Sequence, residues 1–567
     1  MSNKTVNQQH FLSVTISPND VFTTEDFTEE QLMISDMTSK FVLNEVLPRL
    51  GKIENKEFSH TVDLIKQAGE LGLISADIPE SDGGLELGKV AATIITEKMA
   101  LGRSFSITFG GQTGIGALPI AYFGTEQQKQ KYLLDILTGE KIAAYALTEP
   151  SAGTDALSGK TTAVLSECGS YYVISGEKQW ISNAGFADLF IVYAKVNGTQ
   201  FTAFIVEKDY EGVTTSPEEK KMGLEGSSTC SVILDNVKVP VENVIGEIGK
   251  GHVIAFNVLN IGRHKISAAS LGTAKRAIEL SVKYANERKQ FGQSLSNFNL
   301  IKNKIADMVI KTYVNESAVY RTAGAMQDAF AEMKRNGDDI GKTIARYAVE
   351  CSINKVMSTE ILDFVVDEGV QIHGGYGYMS EYEIETLYRD ARISRIFEGT
   401  NEINRIIIAS SLLKKDLQPI ENENVEGCIL QHEKQILLLL KNLFHSLILT
   451  IKKQGLDYLD EEQETAAFIA DIAINIYAIE SAILRTKKAI QANGEEKSQQ
   501  KIYCTKIYVH ESSQQLGLRA LNLLNHFIED EGFSQISKRL IMSSPEDIVK
   551  LKRRIALETI NAGKYIN

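Results

Sequence analysis

Cysteine is scarce and unpaired in this chain. The five residues Cys168, Cys230, Cys351, Cys428 and Cys504 are odd in number and far apart, with no C-x-x-C and no Cys/His cluster of zinc spacing. That excludes a disulfide framework and a structural zinc site, and the cysteines read as free thiols in a reducing compartment. Concentrated positive charge is missing too: net charge is -13, the pI is near 5.4, and the densest basic run is Lys552-Arg553-Arg554. Nucleic acid is thereby excluded as the main partner. No long apolar run is present. The most apolar segment, Ile436 to Ile451, is broken by Lys441, Asn442 and His445 and is too short to span a bilayer. It reads as a buried helix, and membrane association is not predicted. Only Lys4 precedes a polar N-terminal run, unlike a signal peptide or presequence, so the expected location is cytoplasmic.

What is present is ordinary globular material, 43% hydrophobic and 23% charged over 567 residues, enough for several domains. From about Thr28 to Lys141 apolar residues recur at helical spacing, with expected breaks at Gly83-Gly84 and Gly110-Gly111. Gly111-Gln-Thr-Gly114-Ile-Gly116 lacks the G-x-G-x-x-G spacing, so no dinucleotide fold is read there. Between Ala143 and Val239 the period becomes that of strands, at Tyr171 to Val173, Leu189 to Val196, Phe201 to Val206 and Ser231 to Val239. Asn197-Gly198 supplies a hairpin turn between two of them. Helices return from Gly251 to Leu413, Lys414 to Asn424 with Pro419 reads as a linker, and a helical tail follows. The expected fold is α+β and multidomain: a helical N-terminal domain (1–142), a central antiparallel β-domain (143–250), a helical-bundle domain (251–413) and a C-terminal helical extension (414–567).

The tail echoes an earlier helix. Ala470-Asp471, Ile474, Tyr477, Glu480-Ser481-Ala482 and Arg485-Thr486 repeat Ala306-Asp307, Ile310, Tyr313, Glu316-Ser317-Ala318 and Arg321-Thr322 at a constant offset of 164 residues. Nothing in the tail answers to the Gly374-Gly375-Tyr-Gly377 loop, so it copies packing helices without their chemistry. The expectation is that the tail packs where a second copy of the helical domain would otherwise sit, limiting the oligomer to a dimer.

Four stretches invite chemistry. Tyr145 to Asp155 is dense in hydroxyls, glycine and proline, suited to wrapping a polar ring or a phosphate, though also to a plain turn. Trp180-Ile181-Ser182-Asn183 ends a strand with the only tryptophan, which suits either a core position or stacking on a planar cofactor. Arg288-Lys-Gln290-Phe291-Gly292 and Gln371-Ile-His-Gly374-Gly375-Tyr-Gly-Tyr378 pair a cation with an aromatic and with glycines that admit a diphosphate. In Arg392 to Ile403, Glu398 follows an aromatic and precedes a glycine. Alone this stretch is an ordinary helix start, capped by Thr400 or Asn401, with Glu402 in the first turn and Ile403, Ile406, Ile407 and Leu413 as the stripe.

Together these stretches, with Lys178 to Asn183, Lys221-Met-Gly-Leu224, Leu259-Asn-Ile-Gly-Arg263 and Glu287 to Gly292, resemble the acyl-CoA dehydrogenase family, and within it the very-long-chain branch with its helical C-terminal extension. The resemblance implies non-covalent FAD, a thioester substrate and electron-transferring flavoprotein as acceptor. It implies that Thr148 and Ser182 hydrogen-bond the flavin, that Trp180 lies against it, that Thr154 reaches the diphosphate, and that Tyr145, Leu147, Gly153 and Ile181 complete that side. Arg288, Gln290 and Phe291, with Gln371, Gly374 and Gly375, match segments that hold the ADP half across a subunit interface, which implies a homodimer. Thr400 and Glu402 match further FAD contacts, with a carboxylate at Glu402 where many relatives carry an amide. Glu398 matches the base that removes the α-proton of an acyl-CoA as the β-hydrogen leaves as hydride. Thr154, Asn260, Arg263, Phe397 and Gly399 match the substrate side. Gly262 stands where some members carry their base, so Glu398 has no competitor. An acyl-CoA oxidase, or an assembly protein retaining the fold, are the alternatives.

Overall fold

The computed structural model describes residues 10–13, 16–415, 429–454, 461–527, 531–542 and 546–567. The N-terminal run with Lys4, most of the expected linker with Pro419, and Cys428 lie outside them.

In chain order the principal helices of the first block are α1 (Glu29–Phe41), α2 (Phe58–Glu70), α3 (Gly88–Met99) and α4 (Ser104–Gly111). The first begins with a reciprocal cap: Thr28 Oγ1 accepts from the Gln31 N–H and Gln31 Oε1 from the Thr28 N–H. Eight strands follow: β1 (Ala143–Ala146), β2 (Thr162–Leu165), β3 (Tyr171–Ser182), β4 (Leu189–Val196), β5 (Gln200–Glu207), β6 (Val213–Thr215), β7 (Thr229–Pro240) and β8 (Val244–Ile245). Then come α5 (Gly251–Glu287), a hairpin of β9 (Lys289–Gln290) and β10 (Gln293–Ser294), α6 (Asn299–Asn336), α7 (Ala348–His373), α8 (Glu383–Ala391) and α9 (Asn401–Leu413). The extension adds α10 (Gln431–Gln454), α11 (Gln463–Asn493), α12 (Gln499–Phe527), α13 (Glu531–Met542) and α14 (Ile548–Ala562). Contacts divide the chain into two units, Thr28–Gly272 with Met326–Ala348, and Met1–Phe27 with Thr273–Ala325 and Val349–Asn567.

The first unit holds the sheet, ordered β6-β7-β3-β2-β4-β5-β8 with β1 also on β4. Most pairings are antiparallel, but β1 and β2 each run parallel to β4. Asn197 and Gly198 make the β4–β5 turn with φ of 52° and 76°, the left-handed pair that such a hairpin demands. Strand β3 runs to Ser182, well beyond the expected Val173, because pairing to β7 continues past two irregularities, one with its extra residue on β7 between Val237 and Leu234 and one with its extra residue on β3 between Lys178 and Ile181, where Trp180 lies. The expected break at Gly110-Gly111 is not there: both lie inside α4, which runs on into a wider turn over Gln112–Gly116. Smallness serves packing at Gly111 and Gly116, where a Cβ would stand 3.0 Å from Asn183 Nδ2 and 2.9 Å from Ala143 Cβ, while one on Gly110 would meet nothing within 4 Å.

The second unit is helical, and one apolar core joins α6, α7, α9, α10, α11 and α12 through residues such as Val309, Tyr313, Val356, Ile408, Phe444, Ile476 and Ile507. The echoed residues meet each other there. Arg485 Nη1 donates to Glu316 Oε2 at 2.6 Å, and its echo Arg321 Nη2 donates to Glu480 Oε2 at 2.8 Å. The two guanidiniums lie 4.7 and 4.5 Å from the ring centres of Tyr313 and Tyr477. Helices α6 and α11 thus pack as an isologous pair within one chain, the arrangement otherwise made by two identical subunits. The apolar run Ile436 to Ile451 is part of a longer helix than its own length suggested. Among the described residues, Gln431–Lys453 and Gln463–Asn493 are long and apolar enough by composition to cross a membrane; 50% and 83% of their apolar windows are buried against this core.

Candidate active site

In the sheet-bearing unit, the loop after β1 is moored from beneath. Lys178 and Glu149 are both buried, and Lys178 Nζ donates to Glu149 Oε1 at 2.7 Å and to the Leu147 carbonyl at 3.3 Å. Glu149 also accepts from the Lys160 and Thr161 N–H groups, and its backbone pairs with Ala152. Burial alone would raise the Glu149 carboxyl, but the Lys178 ammonium and these donors outweigh it and hold it below its ordinary value. The Thr148 carbonyl accepts from the Gln179 N–H at 2.8 Å, tying the loop to the end of β3. Tyr145 is buried, Leu147 and Thr148 are half-buried, and Gly153 and Thr154 are exposed on the moored loop.

Trp180 sits at the β3 irregularity with φ of 58° and is 60% exposed, so the core reading of the lone tryptophan does not hold. Its neighbour Ile181 faces the core, and Ser182 is half-buried opposite Thr229. A left-handed non-glycine residue costs about 1–3 kcal/mol, and such strain gathers where a side chain must point a particular way. On α5, Asn260 and Arg263 are buried, and Arg263 Nη1 donates to Asn260 Oδ1 at 2.6 Å.

In the helical unit, the β9–β10 hairpin and the turn after α7 come together. Arg288 lies over the Tyr376 ring at 5.3 Å, and Tyr284 stacks on His373 at 4.3 Å. Gln290 is exposed, and Phe291, with φ of 52°, is 94% exposed. Gln371 is exposed in the last turn of α7, and a Cβ built on Gly374 or Gly375 meets nothing within 4 Å. The result is an open, cation-flanked glycine turn bordered by exposed rings.

The seam holding Glu398 is a tight left-handed turn. Glu398 and Gly399 have φ of 55° and 81°, and Thr400 then caps α9, its Oγ1 accepting from the Ile403 N–H at 3.3 Å. The helix-start reading and the special position of Glu398 are therefore both true of this stretch. Phe397 and Glu398 are half-buried. Glu402 is exposed in the first turn; its own backbone N–H and the Thr400 hydroxyl hold its carboxyl below the ordinary value, so it is charged at neutral pH. The expected stripe of α9 is corrected: Ile403, Ile406 and Ile407 are only half-buried, while Asn401 and Asn404 are buried with Ile408, Leu412 and Leu413.

Within the sheet-bearing unit the polar loop and exposed indole suit a planar ring, and within the helical unit the open glycine turn suits a diphosphate; each taken by itself fits one part of the FAD expectation. Sequence reasoning missed the mooring role of Lys178 and Glu149, and Lys355, whose ammonium reaches the Gly399 carbonyl at 2.8 Å. No local pattern in the sequence marks them; each is defined by a partner distant along the chain.

Known proteins align with the chain throughout. Family models match in sequence order: acyl-CoA dehydrogenase N-terminal domain over residues 28–140, middle domain over 144–237, C-terminal domain over 249–413, and a second acyl-CoA dehydrogenase C-terminal model over 449–537. A probable acyl-CoA dehydrogenase of Bacillus subtilis (strain 168) is 48% identical over 580 residues, 98% of this chain and 98% of that protein. The mitochondrial very long-chain specific acyl-CoA dehydrogenase of Macaca fascicularis is 42% identical over 350 residues, 60% of this chain and 51% of that protein. The crystal structure of an acyl-CoA dehydrogenase complexed with FAD from Bacillus anthracis superposes with a TM-score of 0.95 at 48% identity, covering 99% of this chain and 100% of that one.

Proposed function

This chain belongs to the acyl-CoA dehydrogenase family, and we propose that it oxidises long-chain or very-long-chain acyl-CoA thioesters to trans-2-enoyl-CoA in fatty-acid β-oxidation, with Glu398 as the base. The observation that carries the assignment of Glu398 is its left-handed turn ahead of the Thr400 cap, which sets a half-buried carboxylate apart from the helix it precedes. FAD is the cofactor, and when bound it supplies the acceptor for the hydride that leaves the β-carbon. Thr148, Trp180 and Ser182 would hold its ring side, Thr154 its diphosphate, and Arg288, Gln290, Phe291, Gln371, Gly374 and Gly375 its ADP side.

The work left to the protein is to take a proton from a very weak carbon acid. A half-buried carboxylate becomes a stronger base as an acyl chain displaces water around it, and Phe397 beside Glu398 provides an apolar wall. The negative charge that gathers on the thioester oxygen needs a fixed donor, and the Glu398 N–H, pointed by the rigid turn, fills that role; one such donor is worth ~3 kcal/mol. Asn260 and Arg263 are assigned to the CoA moiety. Electron-transferring flavoprotein as acceptor, a homodimer and a cytoplasmic location belong to the same proposal. The free Cys168, Cys230, Cys351 and Cys504 are consistent with that compartment.

Anaerobic titration of the yellow holoenzyme with butyryl-, octanoyl-, palmitoyl- and tetracosanoyl-CoA tests this reading through bleaching of the flavin. Palmitoyl-CoA or longer is expected to bleach fastest, and Glu398→Gln to slow bleaching by orders of magnitude. Parent-like bleaching in Glu398→Gln removes Glu398 as the base. Hydrogen peroxide released at the rate of substrate consumption in air makes the enzyme an oxidase instead.

A further inference from the structure

A lysine with no exposure at all sits behind the Glu398 turn. Lys355, on α7, is fully buried, and its Nζ donates to the Gly399 carbonyl at 2.8 Å and to Asn401 Oδ1 at 2.7 Å. The same Gly399 carbonyl accepts from Asn404 Nδ2 at 2.8 Å, and that amide also reaches the Thr400 carbonyl at 3.0 Å. Asn401 Nδ2 in turn donates to Thr359 Oγ1 at 3.1 Å, and the Thr359 hydroxyl donates to the Lys355 carbonyl at 2.7 Å. Lys355, Asn401 and Asn404 are all buried; Lys355 and Asn404 converge on one carbonyl, and Asn401 holds the lysine there.

We infer that Lys355 is a positioning residue for Glu398: its buried ammonium, with Asn404, pins the Gly399 carbonyl and so fixes the left-handed Glu398–Gly399 turn that aims the carboxylate. The inference rests on the reading of Glu398 as base. Its physical ground is threefold. A left-handed non-glycine turn relaxes unless its neighbours over-determine it. Two donors on one carbonyl fix the orientation of the Gly399–Thr400 peptide plane, one residue from the base. Burying a lysine is unfavourable compared with an apolar residue of like volume, so ordinary packing gives no reason for one here.

The test uses full-length holoenzyme and palmitoyl-CoA. Lys355→Met keeps the volume and removes the donor, and Lys355→Gln keeps a shorter donor. In Lys355→Met the bleaching rate at saturating thioester is expected to fall about 10- to 100-fold, the scale of an ångström-sized misplacement. The half-saturating concentration should stay within about threefold, because this network is assigned to the base and not to uniform substrate binding. Lys355→Gln should recover part of the rate. In a Glu398→Gln background Lys355→Met should cost nothing further, since a positioning residue has nothing left to position.

A parent-like rate in Lys355→Met, or an equal loss in both backgrounds, overturns the inference. Glu398→Gln alone separates the two readings: if it bleaches like the parent, the base assignment fails and this inference fails with it. If Glu398→Gln is slow while Lys355→Met is not, only Lys355 is misassigned. Should Lys355→Met not accumulate as holoenzyme, Asn404→Ser removes the second donor to the same carbonyl and is expected to lower the rate to a smaller extent; an unchanged rate there overturns the inference.

Discussion

The Tyr313 hydroxyl meets the Thr486 hydroxyl at 2.7 Å, and 164 residues further along Tyr477 meets Thr322 at the same 2.7 Å. Each hydroxyl pair joins α6 to α11, and each is the echo of the other with the two helices exchanged. With the reciprocal Arg485–Glu316 and Arg321–Glu480 pairs, the contact has the form of a two-fold axis whose halves lie on one chain.

Breaking one half of that contact is expected to be costly. Arg485 is almost fully buried and also donates to Glu25 and to Thr24 Oγ1. Arg485→Met should destabilise the protein by about 1–3 kcal/mol, the cost of unmaking buried charged hydrogen bonds; the loss stops short of that of a stranded charge because Glu316 keeps Lys275 and the Tyr565 hydroxyl, and Glu25 keeps Lys501. Denaturant unfolding of the holoenzyme checks this. Adding Glu316→Gln should not return the loss, because that carboxylate still holds Lys275.

Glu350, on α7, gives the helical unit a pH dependence. Burial pushes its carboxyl up to about 7, against smaller opposing effects of its own backbone N–H, Lys415 and Arg321. Between about pH 4.5 and 7 the unfolded chain has lost a proton that the folded chain keeps, so stability falls as pH rises through this window and the loss is complete above it. The shift corresponds to about 3 kcal/mol. Glu350→Gln should raise the melting temperature at pH 8 and change it little at pH 5. Equal shifts at both pH values count against this account.

The only tryptophan is a ready-made probe. Because Trp180 is 60% exposed, apoprotein emission should be that of a water-exposed indole, and adding FAD should quench it with the stoichiometry of binding. Emission unchanged by saturating FAD places the flavin away from Trp180.

The mooring of the Thr148 loop predicts a cofactor defect without a catalytic one. Lys178→Met strands Glu149 and loosens residues 147–155, and it should weaken FAD binding about tenfold or more, since ~1.4 kcal/mol of lost order is already one decade. The rate per bound flavin should change far less. Titration of apoprotein with FAD, followed by bleaching of the fully charged variant, separates the two.

Much of this was legible in the order of residues. The switch of hydrophobic period at Ala143 and Gly251, the Asn197-Gly198 turn and the offset of 164 each rest on local spacing, and each corresponds to an observed element. Glu398 could be singled out because a carboxylate before Gly-Thr-Asn is a local pattern. Less legible was anything set by direction. Strand β3 passes through Gly176 and Trp180 because pairing with β7 tolerates two irregularities, and no period-2 pattern shows that. Gly110-Gly111 reads as a break but lies within a helix, where Gly111 serves close packing, since a glycine's role depends on what faces it. Lys178 and Lys355 look like surface lysines until their partners, 29 and 44 residues away, are placed beside them. The stripe of α9 was misassigned for the same reason: Asn401 is buried against Lys355 of the facing helix, and Asn404 against the Gly399 and Thr400 carbonyls.

An interface between separate subunits weakens on dilution, but the α6–α11 contact does not, because both partners belong to one polypeptide. Tethering replaces a dissociation constant with an effective concentration, on the order of millimolar for a short connection. The self-complementary face of α6 is therefore satisfied at any protein concentration the cell supplies. A chain ended after Lys415 would present that face bare, and with rising concentration it should associate beyond the oligomer that the full chain forms.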